Sequence, residues 1–287
     1  MIFLLLASAC TGPSDDSAAT DPNVCTLLNP DLEPDGGFQV AWSADPSPLE
    51  AGVQSDLRFQ ILGPDGEIVD DLQQSHERMV HVLVISSDLE SFQHLHHEDA
   101  NPVTAETLRC GDWHTPVTPP YSGRYRLAFD YAQANQWLST HDWADVVGAP
   151  AQQDSPTIDT ATTATVAGMD VTIAWDTPAV AGFEAQWNVT ITEGGADVTD
   201  LVQWLGADAH AVIVSEDVEF VTHTHAWIPG VENMSPGMEM PHQYPGPYVP
   251  FHFTFPTAGW HKMWVQFARA ADPEAAYTVP FWFEVSP

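Results

Sequence analysis

The chain of 287 residues is strongly acidic, with 40 Asp and Glu against 7 Lys and Arg and a formal net charge of −33. That sign disfavours nucleic acids and anionic lipid surfaces as partners, because both attract basic proteins. A hydrophobic fraction of 44% supports packed cores and excludes disorder of the whole chain, and the length favours two domains.

The first residues predict export. Residues 1–9 are apolar but too short to span a bilayer. The segment Leu6-Ala7-Ser8-Ala9-Cys10 resembles the lipobox of bacterial lipoproteins, which implies a signal peptide over 1–9 and lipidation of Cys10. A truncated secretory signal is the alternative. Ser, Asp, Ala and Pro dominate the next stretch, so we expect a flexible tether over 10–36.

Two cysteines remain for the folded part of the chain. Cys25 and Cys110 form an even pair in a protein that we expect to be exported, so a disulfide between them is predicted. Metal ligation by these cysteines is the alternative, and their wide separation along the chain disfavours it.

One stretch of the chain occurs twice. Residues 81–96 read HVLVISSDLESFQHLH and residues 210–225 read HAVIVSEDVEFVTHTH, so the later histidines follow the first by 13 and 15 positions in both copies. A β-branched run that ends in a Ser-x-Asp turn signal predicts a strand, a turn and a second strand. We expect Asp88 and Asp217 to cap these turns.

The predicted hairpins gather histidines on one face. Side chains alternate along a strand, so a turn centred near 87–90 puts His81 opposite His96, with His94 diagonal to it. The same register in the second copy gathers His210, His223 and His225. Three imidazole nitrogens suit Cu(II) or Zn(II). The alternative is that these histidines are structural and bond to the backbone.

Further ligand candidates lie in the loops after the hairpins. His114 and His242 follow the last hairpin histidine by 18 and 17 positions, and each is a candidate fourth ligand. Met238 and Met240 carry thioethers that suit Cu(I), although methionines in such a loop also serve as hydrophobic cover. The hairpins contain no cysteine, which disfavours a blue-copper electron carrier.

Similarity between the copies extends beyond the hairpins and predicts an all-β fold. Each copy has about seven short strand signals with frequent turns and no helical period. We therefore expect two tandem antiparallel β-sandwiches of immunoglobulin-like or cupredoxin-like type, over residues 37–148 and 168–287. A Thr-, Ala-, Asp- and Gln-rich linker is expected over 149–167.

The histidine hairpin, the segment from Phe255 to Phe267 and the closing Val279-Pro280-Phe281 strand resemble exported bacterial domains of the YtkA-like kind. The resemblance implies an exported β-sandwich with a metal site and a role connected with metal handling, particularly of copper. It does not imply an enzyme. That family commonly has Pro after the last histidine, where this chain has His97 and Ala226.

Two hypotheses of function follow. The first is a lipid-anchored protein of the bacterial cell envelope, on its periplasmic face or outer surface, that binds copper or zinc in each repeat for chaperoning, buffering or sensing. The second is a tandem immunoglobulin-like envelope module that binds a protein partner and has structural histidines. An enzyme is less favoured, because no Ser-His-Asp or paired-carboxylate motif stands out. Nucleic acid is not expected as a partner, and membrane contact is expected through the lipid anchor only.

Overall fold

A computed structural model describes residues 25–231, 235–238 and 240–287. The predicted signal peptide and Cys10 lie outside these residues. Among the residues described, no helix combines the length and apolar character needed to cross a membrane.

Strands β1–β8 form the first sandwich. They are β1 (Gln39–Asp45), β2 (Leu49–Glu50), β3 (Ser55–Leu62), β4 (Val80–Ser86), β5 (Phe92–His96), β6 (Trp113–Val117), β7 (Gly123–Gln133) and β8 (Gln136–Val147). One sheet has the order β1-β3-β6 and the other β2-β8-β7-β4-β5. All pairings are antiparallel except that of β2 with β8, which is parallel.

Strands β9–β18 form the second sandwich. They are β9 (Thr163–Val166), β10 (Met169–Thr177), β11 (Glu184–Glu193), β12 (Ala196–Asp197), β13 (Leu201–Val202), β14 (His210–Ser215), β15 (Val221–His225), β16 (Tyr248–Thr254), β17 (Gly259–Arg269) and β18 (Asp272–Val285). One sheet has the order β12-β11-β10-β9 with β16 on β11, and the other β13-β17-β14-β15 with β18 on β17. The predicted fold class, two tandem antiparallel β-sandwiches, is confirmed.

Three details differ from the sequence prediction. A short helix, α1 (Ala105–Cys110), begins at a capping box formed by Thr104 and Thr107, local signals that a search for long periodic helices passes over. The predicted linker over 149–167 is partly strand, because β9 pairs with β10. The described part of the predicted tether lies against the first sandwich, since the Leu28 amide donates to Gln60 and Cys25 is bonded to Cys110.

The two sandwiches share a third hydrophobic core between them. Every residue of β4 and of β14 is buried, which requires both faces of these strands to be covered. Val82 and Val84 point into the first sandwich, whereas Leu83 and Ile85 pack with residues of the second. The second sandwich contributes Val212, Val214, Val218, Val221, Trp264 and Trp282 to this shared core. The hairpin sheets therefore dock on each other.

The docking sets the position of the histidines. Alternation places His81 on the same face of β4 as Leu83 and Ile85, and His210 on the same face of β14 as Val212. Both first hairpin histidines therefore lie where the sandwiches meet.

Candidate metal centre between the two sandwiches

The hairpins have the predicted register. His81 pairs with His96 across β4 and β5, and His210 pairs with His225 across β14 and β15. The turns are capped as expected, since Asp88 and Asp217 accept from the hydroxyls of Ser86 and Ser215 respectively. We call His81, His94 and His96 the first triad, and His210, His223 and His225 the second triad.

In each ring of the first triad, one nitrogen contacts an oxygen acceptor outside the triad, and we call it the outer nitrogen. The other, which faces the rest of the triad, is the inner nitrogen. The contacts are His81 Nε2 to Ser75 O at 3.1 Å, His94 Nδ1 to Gln266 Oε1 at 2.8 Å, and His96 Nδ1 to Asp99 Oδ2 at 2.8 Å. These oxygens accept hydrogen bonds, so the outer nitrogens carry the N–H in the neutral rings. The inner nitrogen of each ring therefore presents a lone pair.

The three inner nitrogens converge. His81 Nδ1 lies 3.0 Å from His94 Nε2, and His96 Nε2 lies 3.1 Å from each of them. With lone pairs on all three, none can donate to another. A metal ion at about 2.0–2.1 Å from each nitrogen requires them to be about 2.9 Å apart for right angles and about 3.3 Å apart for tetrahedral angles. The first triad lies between these limits and fits a copper or zinc ion.

The second triad repeats this arrangement more loosely. His210 Nε2 donates to Trp204 O at 2.7 Å, so His210 Nδ1 presents its lone pair, and it lies 3.0 Å from His223 Nε2. The candidate ligand nitrogens of the triad all lie within 4.8 Å of one another. His225 Nε2 is buried and has no hydrogen-bond partner among the described residues. An orphaned buried nitrogen beside two convergent ones is an arrangement that could hold a metal ion.

The two triads are adjacent. The ring of His223 lies 4.9 Å from that of His94 and 5.2 Å from that of His81, measured between centroids. The two triads therefore lie side by side in one continuous histidine cluster between the sandwiches.

Equivalent turns from the two sandwiches cover the cluster. In the first, His76 and Glu77 have φ of 47° and 64°, and in the second Leu205 and Gly206 have φ of 50° and 70°. Two successive positive φ values are typical of the tight type I′ turn. A Cβ on Gly206 would lie 3.7 Å from the His76 Cα, so the turns meet.

His76 adds a seventh imidazole. Its ring stacks on His225 with centroids 3.6 Å apart and approaches the edges of both His81 and His210. Sequence reasoning missed His76, because its counterpart in the second repeat is Leu205. In the opposite direction, Trp204 of the second sandwich packs edge-on against His94 at 5.7 Å.

The cluster is neutral at physiological pH. Burial lowers the pKa of His94 and of His76 to about 4. Burial, followed by repulsion from neighbouring imidazoles, holds the pKa of the other five rings well below 6.5; these are His81, His96, His210, His223 and His225. Neutral imidazole is the form that binds a metal ion.

The loop histidines lie elsewhere. His114 is on β6 and bonds Asp56 at 3.0 Å, while His242 bonds the buried carboxylate of Asp208. Neither belongs to the triads, so the expectation that they supply fourth ligands is not met in this structure. The reason is local, since each ring has a carboxylate partner of its own. Met238 and Met240 line a cavity beside the second triad.

Cys25 and Cys110 form a disulfide in the structure. It joins the chain segment before β1 to the end of α1, on the first sandwich. Among the described residues, neither cysteine belongs to a group that could hold a metal ion. A disulfide-bonded sulfur also has no thiolate with which to bind a metal.

Comparison with protein families gives one match. The model described as "Domain of unknown function (DUF8832)" matches residues 33–147 and 164–287, one segment in each repeat. The YtkA-like resemblance is not confirmed by this match. A comparison with curated proteins finds no significant relative.

Solved structures with similar folds include fibronectin(III)-like modules of CbhA from Clostridium thermocellum, at 11% identity and a TM-score of 0.20, covering 86% of this chain and 94% of that one. They also include the Escherichia coli adhesin FdeC, at 12% identity and 0.24, covering 88% of this chain and 65% of that one. The Yersinia pseudotuberculosis adhesin InvE follows at 10% and 0.23, covering 88% and 61%. The chain thus spans less than two thirds of either adhesin chain. At these values we draw nothing about function from them.

Proposed function

The chain belongs to the DUF8832 family, whose description assigns no role, and we propose that it is a metal-binding protein of the bacterial cell envelope. It holds copper or zinc in the histidine cluster between its two sandwiches, one ion at each triad. The role is chaperoning, buffering or sensing of the ion. Export and lipid anchoring through Cys10 are part of the proposal.

The observation that carries the proposal is the set of three lone pairs at 3.0–3.1 Å in the first triad. A purely structural cluster of neutral histidines gains stability from N–H···N bonds between its rings. Here the outer acceptors take every N–H, so the inner nitrogens only repel one another. A cation between them turns this repulsion into coordination.

The outer hydrogen bonds also match what metal ligands require. A ligating histidine commonly donates its second N–H to a carbonyl, a carboxylate or another acceptor, which fixes the tautomer and the ring orientation. Ser75 supplies a carbonyl, Asp99 a carboxylate and Gln266 an amide oxygen. The net charge of −33 favours the approach of cations.

The test is the metal content of the purified protein after equilibration with Cu(II) and Zn(II) in turn, measured by mass spectrometry after dialysis. We expect two equivalents per chain. His94→Ala should remove one equivalent and His223→Ala the other. The matched controls are His114→Ala and His242→Ala, which should both keep two.

Two outcomes would contradict the proposal. Retention of full metal content by His94→Ala would show that the first triad is not a site. Absence of retained metal in the parent protein would make the histidines structural, and the envelope module that binds a protein partner would then be the better account.

A further inference from the structure

The second triad lies beside a cavity of about 400 Å³. His223 and His225 of the second triad, His81 of the first and His76 line it, together with Asp130, Trp137 and Trp227. The volume falls in the range of about 300–1,000 Å³ that is usual for small-molecule sites.

The turns beside the two triads differ at one equivalent position. Trp204 and Ser75 each lie six residues before the first hairpin histidine of their repeat, and each is paired across its turn. Each turn contacts the triad of the other sandwich. The indole of Trp204 packs edge-on against His94 of the first triad and also against His210 of the second. Ser75 has a small side chain at the equivalent place and lines the cavity instead.

A second equivalent pair differs in the same sense. Gln266 lies opposite His210 in the sheet and Asp130 lies opposite His81. Gln266 reaches across to bond His94 of the first triad. Asp130 instead accepts from Ser139 and forms part of the cavity wall. The second triad therefore lacks the hydrogen bond that Gln266 gives the first, and two of its rings, His223 and His225, line the cavity, against His81 alone from the first.

The cavity walls indicate what kind of molecule they would hold. Two aromatic stacks line it, His76 on Trp137 at 5.4 Å and Trp227 on His252 at 4.9 Å. Flat aromatic ligands pack well against such faces. The carboxylate of Asp130, opposite His81 in the sheet, also lines the cavity, where it would repel anions and accept an N–H.

We propose that the ion at the second triad binds an external ligand in this cavity, and that this ligand is a neutral, flat nitrogen heterocycle of imidazole to benzimidazole size. The inference rests on the proposed function, since three histidine nitrogens leave a fourth position open on copper or zinc. The heterocycle supplies one nitrogen to the ion and stacks in the aromatic walls. The first triad, which presents only His81 to the cavity, takes no such ligand.

The experiment titrates copper-loaded protein with benzimidazole or imidazole and follows the visible d–d band and the EPR spectrum, with copper content measured before and after. We expect saturation at one ligand per chain. The affinity for benzimidazole should be about 2–10-fold higher than that for imidazole, because its larger ring stacks on the aromatic walls. Azide should bind more weakly than either.

Variants separate this inference from metal binding itself. Trp227→Ala removes the stack on His252 and should weaken heterocycle binding about 2–10-fold while two copper equivalents remain. Trp137→Ala, at a half-exposed position, removes one stack and should weaken binding about 2–10-fold. Phe183→Ala, at an exposed site that does not line the cavity, should change nothing.

The outcomes are distinguishable. Two bound copper ions without a saturable heterocycle response, or equal responses in the parent, Trp227→Ala and Trp137→Ala, would overturn this inference and leave the proposed function intact. Tighter binding of azide than of imidazole would overturn the neutral-donor assignment. A protein that retains no copper would overturn both proposals.

Discussion

Gln266 links the two sandwiches through the first triad, and its replacement tests whether the outer hydrogen bonds serve metal binding. Its Oε1 accepts from His94 Nδ1 at 2.8 Å, and its Nε2 donates to Thr278 at 3.1 Å. In Gln266→Leu the N–H of His94 loses its acceptor, so the ring is free to reorient or to place its proton on Nε2. Loss of such a partner typically costs 10–100-fold in metal affinity. That corresponds to about 1.4–2.7 kcal/mol.

The assay is zinc competition with a chromophoric chelator in a His223→Ala background, so that only the first triad is measured. Thr278→Val is the matched control, because it removes the other bond of Gln266 and keeps the acceptor for His94. We expect less than about 3-fold loss there, since a single neutral hydrogen bond contributes modestly. Gln266→Glu keeps an acceptor and should restore binding. Unchanged affinity in Gln266→Leu, or an equal loss in Thr278→Val, would refute the reasoning.

Three other expectations concern stability. Replacing both Cys25 and Cys110 by Ser opens a loop that spans 85 residues, so chemical denaturation should show a free energy of unfolding lower by about 4–5 kcal/mol, with metal content unchanged. Leu83→Ala, at a fully buried site between the sandwiches, should cost about 2–5 kcal/mol, whereas Phe183→Ala, 69% exposed, should cost less than about 0.5 kcal/mol. The metal-free protein should lose stability on acidification from pH 6.5 towards 4. In this range the histidines of the unfolded chain bind protons, whereas His94 in the folded protein, with a pKa of about 4, does not. Each such ring lowers the free energy of unfolding by up to about 1.4 kcal/mol per pH unit. Thermal melts across this pH range measure the effect. A flat profile would contradict the burial of neutral rings.

The hairpins were predictable because strand geometry leaves little freedom. A period of two and a tight turn fix which residues lie opposite each other, so His81 and His96 could be paired from their spacing. The Asp side chains of the turns followed from the same local chemistry.

The docking of the sandwiches was not predictable from local patterns, although one signal for it exists. Leu83 and Ile85 alternate with Val82 and Val84, so β4 is apolar on both faces. In an isolated sandwich the outer face of such a strand would be exposed to water, where apolar side chains are unfavourable. That signal indicates a buried outer face but does not name the surface that covers it. Partners across the boundary, such as Gln266, could not be identified without the docking.

The prediction that loop histidines supply fourth ligands was not met for a different reason. Similar spacing of His114 and His242 after their hairpins does not fix their position in space, because the intervening loops differ in the two repeats. Each ring bonds a carboxylate, Asp56 or Asp208, that no local sequence pattern identifies as its partner. His76 shows the converse, since a turn residue without a counterpart in the other repeat joined the cluster only through docking.

The face-to-face arrangement makes each repeat part of the environment of the other. A residue at one turn position contacts rings of both triads, as Trp204 does with His94 and His210, so a substitution there changes the environment of both sites and leaves the hairpin sequences unchanged. Ser75 holds the equivalent position in the other turn and lines the cavity. Two triads with the same ligand spacing can thus acquire different access without any change in their ligands. In the proposed metal-binding role, the first triad, with only His81 at the cavity, retains its ion, and the second triad, with His223 and His225 there, exchanges ligands. A single β-sandwich with one exposed hairpin could not produce this division.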